Sequence, residues 1–383
     1  MPQKRYLLTP GPTPVPPEVL AAMAEPVIHH RSPDFKALFA DTRMRLQQVF
    51  RTANEVLVFT SSGTGAFESA VVNLLSPGEK VLAVSHGNFG TRWQKLATTF
   101  GCDVVELNYA WGDAPLADDV ARALTESGAR VVFLVHSETS TGVVSDIEAL
   151  VGACNAAGAI SVVDAISSLG AVPLETDVWG VDVVVTGSQK ALMTPPGLAF
   201  ASVSDRAWAK VQTAALPRFY WDWTRARSEQ EKDNTSFTPA TSTVVALNVA
   251  LQAILAEGLE NVFARHVALG RACRAGAKAM GLELYSPDDD SAAVLTGIFM
   301  PDGVDAVELR LALRDRYGIT IAGGHGDIVN RLVRIGHIGH VDVFDITTAL
   351  AAIELQLVEM GATIERGAAL AAALEAYEAT ITA

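Results

Sequence analysis

The stretch from Val183 to Phe200, VVVTGSQKALMTPPGLAF, decides the fold. It begins with an apolar, β-branched run, which is typical of a strand covered on both faces of a sheet. A Pro-Pro-Gly turn at 195–197 leads into a second apolar run. One cation, Lys190, stands between the two runs. The pattern predicts two strands joined by a turn that presents a lysine after the first strand ends.

Short apolar runs of the same kind recur upstream, most of them separated by helical stretches. The seven runs lie at 55–59, 80–84, 103–107, 131–135, 160–163, 181–185 and 198–203. This alternation predicts an α/β fold with a mostly parallel, seven-stranded sheet and helices on both faces, from about Thr52 to Val203.

Beyond the sheet, helices and strands follow one another in mixed order. We predict helices at 243–254, 263–280, 304–317, 341–360 and 367–378, and strands at 293–295, 297–300, 319–321 and 332–335. This order predicts a smaller α+β C-terminal domain. We therefore divide the chain into an N-terminal arm (1–20), a large domain (21–255) and a small domain (256–383).

Composition narrows the classes of partner. The chain has 29 Lys and Arg against 43 Asp and Glu, a formal net charge of -14. Such a surface repels nucleic acid and anionic membranes, so we expect neither as a partner. The three cysteines are far apart and lack the spacing of a zinc site, so we expect no metal. We expect a cytoplasmic protein, because the first residues lack the apolar core of a signal peptide.

Polar residues follow three of the predicted strands, where ligands bind in open parallel sheets. Ser62-Gly63-Thr64 opens a helix and would suit a phosphate, although a plain capped turn is the alternative. Asp164 ends the fifth strand and could instead be an N-cap. Lys190 alone could be a solvated loop lysine. Together, an anion cradle, a buried carboxylate and a reactive amine are what pyridoxal phosphate requires.

The sequence resembles the class V, fold-type I pyridoxal-phosphate aminotransferases, most closely the alanine–glyoxylate and serine–glyoxylate group. The resemblance runs from LTPGPT at 8–13 through GNFG at 87–90 and SETSTG at 137–142 to SQK at 188–190 and LVRIG at 332–336.

The resemblance implies a role for each matching residue. Lys190 would bond the cofactor aldehyde and move the substrate proton, and Asp164 would pair with the pyridine nitrogen. Phe89 would lie on the ring face, and Thr139 would lie near the ring oxygen. The phosphate would be bound by Ser62, Gly63, Thr64 and Gln189. Glu138 and His136 would be structural.

Further roles concern the substrate and a second subunit. By resemblance, Arg334 would bind the substrate α-carboxylate, and Pro10 and Gly11 would lie along the substrate entrance. Thr235 and Thr238 would reach the phosphate site of a partner subunit, so we expect a homodimer with shared sites.

The predicted function is transamination between a small amino acid, alanine or serine, and a 2-oxo acid, glyoxylate or pyruvate. An aspartate or 2-aminoethylphosphonate aminotransferase is the alternative on the same fold. A lyase or desulfurase is disfavoured, because the region IAGGHGD at 321–327 lacks the required cysteine. A catalytically idle cofactor-binding subunit is disfavoured by the presence of Lys190, Asp164 and Arg334 together.

Overall fold

The computed structural model describes residues 4–382 and contains two compact units. The larger unit comprises Val15–Glu138 and Ser145–Leu259. The smaller comprises residues 4–14, Thr139–Val144 and residues 260–382. Across 4–382, no single helix is long and apolar enough to cross a membrane; the consecutive helices Thr241–Glu257 and Leu259–Ala279 reach that length and composition only together, across a break at Gly258.

The elements are numbered in chain order. The strands are β1 (Tyr6–Leu7), β2 (Val56–Ser61), β3 (Lys80–Ser85), β4 (Asp103–Asn108), β5 (Val131–Val135), β6 (Ser137–Glu138), β7 (Val143–Val144), β8 (Ile160–Asp164), β9 (Val183–Gly187), β10 (Gly197–Val203), β11 (Leu295–Phe299), β12 (Ile319–Thr320), β13 (Ala322–Gly323) and β14 (Leu332–Gly336). The helices are α1 (Pro17–Met23), α2 (Pro33–Phe50), α3 (Gly63–Leu74), α4 (Asn88–Thr99), α5 (Ala117–Ser127), α6 (Ile147–Ala156), α7 (Asp205–Val211), α8 (Trp223–Gln230), α9 (Thr241–Glu257), α10 (Leu259–Ala279), α11 (Ala306–Tyr317), α12 (Val343–Glu359) and α13 (Ala368–Ile381).

The larger unit is built on a seven-stranded sheet with the order β2-β10-β9-β8-β5-β3-β4. Only β10 runs antiparallel to its neighbours in this sheet, so the other six strands share one direction. These strands overlap the seven predicted runs, with ends that differ by up to two residues, and the prediction of a mostly parallel seven-stranded sheet is confirmed. The carboxyl ends of six strands therefore meet at one edge.

Aromatic packing fixes the helices of this unit on the sheet. Trp93 of α4 stacks between Phe67 of α3 and Phe133 of β5, with ring centroids 3.9 and 4.4 Å apart. All three rings are buried. Burial of such large apolar side chains stabilises each by about 1.5–3 kcal/mol and holds the first turns of α3 and α4 at the strand ends.

The smaller unit contains an antiparallel sheet with the order β11-β14-β13. Helices α11, α12 and α13 pack with it around a separate apolar core. The predicted α+β character is confirmed. The prediction of two strands at 293–295 and 297–300 is wrong, because Thr296 stays extended between them and pairs with Ile335, which makes one strand, β11. The predicted domain boundaries stay a prediction.

Candidate functional site

Two neighbouring strands bring the predicted carboxylate and lysine to the same edge of the larger unit's sheet. Strand β8 ends at Asp164, which pairs in register with Val185 of β9. Two hydrogen bonds join the residue after β8 to strand β9. The Ala165 N–H donates to the Val185 carbonyl at 2.9 Å, and the Thr186 hydroxyl donates to the Ala165 carbonyl at 3.0 Å. Lys190 follows the end of β9 by three residues.

Asp164 is a buried carboxyl, only 4% exposed. Its Oδ1 accepts a hydrogen bond from the Ile166 N–H at 2.9 Å. Burial raises its pKa to about 7, and the nearby Glu138 charge adds to the rise, while the Ile166 N–H, Lys190 and Arg92 oppose it. A carboxyl in this state gains most from a cationic partner, which would favour its ionised form.

Lys190 is held by a compact turn and is only 9% exposed. The Ser188 hydroxyl donates to the Pro195 carbonyl at 2.7 Å, and the Thr194 N–H donates to the Ser188 carbonyl at 3.1 Å. The Met193 N–H closes the turn on the Lys190 carbonyl at 2.9 Å. The reading of Lys190 as a solvated loop lysine is therefore wrong, because the turn and its neighbours cover the side chain.

The residues of the predicted anion cradle lie at the start of α3. Its first N–H groups have no acceptor inside the helix, and the Ser62 side chain makes no capping hydrogen bond with any residue in the described range. A Cβ at Gly63 would lie 2.3 Å from Ile166 Cδ1, and a Cβ at Gly187 would lie 3.3 Å from the Gly63 nitrogen. The segments at the ends of β2, β8 and β9 thus converge, and a side chain at either glycine would require its neighbours to shift.

The fit to pyridoxal phosphate rests on groups that the fold leaves unsatisfied. The Gln189 Oε1 is buried with no hydrogen-bond partner within residues 4–382, and it would lie 2.9 Å from a Cβ at Gly187. Since amide oxygen and nitrogen are assigned from the network alone, this group can offer a donor to a phosphate. An uncapped helix N-terminus, an unsatisfied amide and a carboxyl with a raised pKa suit a phosphate and a ring nitrogen.

Phe89 lies in the first turn of α4 and is positioned by two charged side chains. The backbone N–H groups of Phe89 and Gly90 donate to the buried Glu138 carboxylate at 2.9 and 3.2 Å. The Arg92 guanidinium lies over the Phe89 ring, 4.7 Å from its centroid, and its Nη1 is 3.4 Å from the Thr64 hydroxyl. These contacts link the aromatic ring to the cradle, and the sequence reasoning missed Arg92.

Arg334 lies in the smaller unit, on the central strand β14, and is only 7% exposed. Its Nε donates to the Gly323 carbonyl at 2.7 Å, its Nη1 donates to the Thr139 carbonyl, and its Nη2 lies 3.0 Å from His325 Nε2. The reading of Arg334 as a surface arginine is wrong, because these contacts bury it. The structure brings Arg334 and Thr139 together, and His325 is a contact that the sequence reasoning missed.

The N-terminal segment passes the end of the strand that carries Arg334. The Gly336 N–H donates to the Leu8 carbonyl at 2.8 Å, and a Cβ at Gly336 would lie 2.4 Å from the Thr9 carbonyl oxygen. The smaller unit therefore brings Pro10 and Gly11 to the end of β14.

Thr235 and Thr238 line a cavity of about 30 Å³ in the larger unit, together with Thr60, Tyr220 and Phe237. The Thr235 hydroxyl donates to the Phe237 carbonyl at 2.8 Å. Within the part of the chain that the structure describes, no hydrogen bond joins either threonine to the cradle at 62–64.

Comparison with known proteins identifies similar sequences along the whole chain. The family profile described as "Aminotransferase class-V" matches residues 5–336. The chain is 41% identical to the protein named "Soluble hydrogenase, small subunit" of Synechococcus sp., over 97% of this chain and 98% of that protein. It is 37% identical to L-aspartate–glyoxylate aminotransferase of Paracoccus denitrificans (100% and 98%) and 36% identical to serine–glyoxylate aminotransferase of Methylorubrum extorquens (97% and 96%).

Solved structures show the same architecture. The fold matches ureidoglycine–glyoxylate aminotransferase from Bacillus subtilis with a TM-score of 0.95, at 31% identity, over 99% of both chains. The chain therefore has the fold of the fold-type I enzymes.

Proposed function

The chain belongs to the class V aminotransferase family, and on that premise we propose that it transfers the amino group of a small amino acid, alanine or serine, to glyoxylate or pyruvate. It is an aminotransferase that uses pyridoxal phosphate. The observation that carries the proposal is the convergence, at one sheet edge, of an uncapped helix N-terminus, a buried carboxyl and a buried lysine amine.

When bound, pyridoxal phosphate supplies an aldehyde that reacts with amines and a ring that accepts the electron pair released at the substrate Cα. We assign its phosphate to Ser62, Gly63, Thr64 and Gln189. Asp164 would then carry its negative charge next to the ring nitrogen, whose proton offsets the cost of burying that charge. Phe89, fixed by Glu138 and Arg92, would cover the ring face.

Lys190 would have two tasks. Its amine would hold the cofactor until the substrate amine replaces it. The freed amine would then take the proton from the substrate Cα and deliver it to the carbon that was the cofactor's aldehyde carbon. Both tasks need the uncharged form of the amine.

Arg334 would bind the α-carboxylate that amino acids and 2-oxo acids share, through paired N–H···O hydrogen bonds. One carboxylate site would thus serve donor and acceptor in turn. Thr139 would approach the ring oxygen, and Pro10 and Gly11, near the end of β14, would line the entrance.

The glyoxylate acceptor is supported by the names of three relatives, and the donor differs among them: aspartate, serine and ureidoglycine. An aspartate donor is therefore the second candidate. The hydrogenase name belongs to the cyanobacterial relative. Residues 4–382 of this chain gather no group of three or more His, Cys, Asp or Glu side chains that could hold a metal.

The expected homodimer remains a proposal that the threonine segment supports. Phe219 and Tyr220 are 71% and 40% exposed and pack against Phe237, beside Thr235 and Thr238. An exposed aromatic patch of this kind is typical of a subunit interface. The free cysteines support a reducing compartment such as the cytoplasm.

Absorbance of the holoenzyme tests the proposed function. The visible cofactor band should bleach with L-serine or L-alanine and return with glyoxylate, and the Lys190→Ala variant should lack this cycle. A panel of donors that includes L-aspartate, each tested with glyoxylate and pyruvate, ranks the substrates. A band that no amino acid moves would refute transamination.

A further inference from the structure

A tightly folded loop between β13 and β14 presents His325. The Gly324 N–H donates to the Leu332 carbonyl at 2.9 Å, and a Cβ at Gly324 would lie 2.5 Å from the Ile328 carbonyl oxygen. Gly326 has a φ of 55°, in the left-handed region that favours glycine. The glycines on both sides of His325 thus allow a compact turn that holds its imidazole in place.

The imidazole contacts the guanidinium that we assign to the substrate carboxylate. Of the three described acceptors around Arg334, two are the backbone carbonyls of Gly323 and Thr139, and the third is the Nε2 of His325, 3.0 Å from Nη2. A guanidinium can only donate hydrogen bonds, so Nε2 accepts. The imidazole is therefore neutral in this arrangement, with its proton on Nδ1.

We propose that His325 is a positioning residue for substrate binding: its neutral imidazole, with the two carbonyls, fixes the plane of the Arg334 guanidinium before a carboxylate arrives. The inference rests on the proposed function, because it takes Arg334 as the carboxylate ligand. A planar fork pairs with a carboxylate only in a restricted orientation. Three acceptors from two segments that are distant in sequence, one at 323–325 and one at Thr139, set that orientation in advance, so binding does not have to order the side chain.

Two ligands that differ in the carboxylate distinguish binding of the carboxylate from binding of the rest of the substrate. Absorbance titration of the holoenzyme with 2-methylalanine, which has no Cα proton to lose, measures binding without turnover. Isopropylamine is the same molecule without the carboxylate. The variants are His325→Leu and His325→Phe, which remove the acceptor, and His325→Gln, which restores one. Asp327→Asn, an exposed change in the same loop, is the matched control.

We expect His325→Leu and His325→Phe to weaken 2-methylalanine binding about tenfold, the loss of one hydrogen bond from a charged donor, and to leave isopropylamine binding unchanged. His325→Gln should recover most of the affinity, and Asp327→Asn should match the wild type. Because two variants lack the acceptor, the test can still be made if one of them fails to fold.

Three results would overturn the inference: unchanged affinity in the variants without the acceptor, equal weakening for both ligands, or a Gln variant as weak as the Leu variant. A wild type that responds to neither ligand would instead refute the proposed function, and the inference with it.

Discussion

Replacing Asp164 by asparagine should stabilise the protein without cofactor while weakening the cofactor complex. The asparagine keeps an oxygen to accept the Ile166 N–H, now held at 2.9 Å, and cannot ionise. In the protein without cofactor, the wild-type carboxyl must lose its proton in a buried position, and the variant avoids that cost.

The magnitude follows from the pKa. Burial raises the Asp164 pKa from 3.8 to about 7, which corresponds to about 4 kcal/mol at 25 °C. Because the folded-state pKa lies above the unfolded value, this group makes its full contribution to stability below pH 3.8 and loses it as the pH rises through 7. The stability difference in favour of Asp164→Asn should therefore widen by about 2–3 kcal/mol between pH 5 and pH 8 and then stay constant.

Urea unfolding of both proteins without cofactor, at pH 5 to 9, measures that difference. Adding pyridoxal phosphate at pH 8 should then stabilise the wild type far more than the variant, because only a carboxylate can pair with a protonated ring nitrogen. Asp327→Asn, on an exposed loop, controls for the loss of a charge. A stability difference that is flat in pH, or equal stabilisation of both proteins by the cofactor, would refute the reasoning.

Three further changes have defined outcomes. Glu138→Gln should destabilise the protein by about 1–3 kcal/mol and move the pH midpoint of the Asp164 effect downward, since a nearby negative charge is removed; an unmoved midpoint in urea titrations would contradict this. Gly336→Ala should cost about 1–3 kcal/mol in urea unfolding, because its Cβ would lie 2.4 Å from the Thr9 carbonyl oxygen, and tolerance of the change would be the contrary result. Gly152→Ala should raise the free energy of unfolding by about 0.5–1 kcal/mol, because Gly152 lies within α6 and a Cβ there meets no neighbouring atom. A lower urea midpoint for this variant would contradict the open position.

The sheet could be predicted because its strands are covered on both faces, which demands nearly continuous apolar runs. The ends of those runs then indicate where polar groups meet, and Asp164 and Lys190 lie at the predicted edge. The conformations of the turns that follow these strands could not be predicted from the apolar runs alone. Whether Lys190 is solvated or buried depends on the hydrogen bonds that Ser188 makes across the turn, and a one-dimensional pattern does not contain them.

Two contacts of the site escaped the sequence reasoning for different reasons. Arg92 follows Phe89 by three residues, one helical turn, so the helix that begins at Asn88 was a usable signal. His325 had only its flanking glycines as a signal. Its contact with Arg334 depends on how the loop folds back on Leu332 and on the Thr139–Val144 segment, which is distant in sequence.

Borohydride reduction of the holoenzyme, followed by peptide mass spectrometry, tests the central claim most directly. Reduction fixes the cofactor to the amine that holds it. We predict a single phosphopyridoxyl adduct on the peptide that carries Lys190, lost when the protein is incubated with L-serine before reduction. An adduct on another lysine, or an adduct on Lys190 that amino acids never displace, would contradict the account.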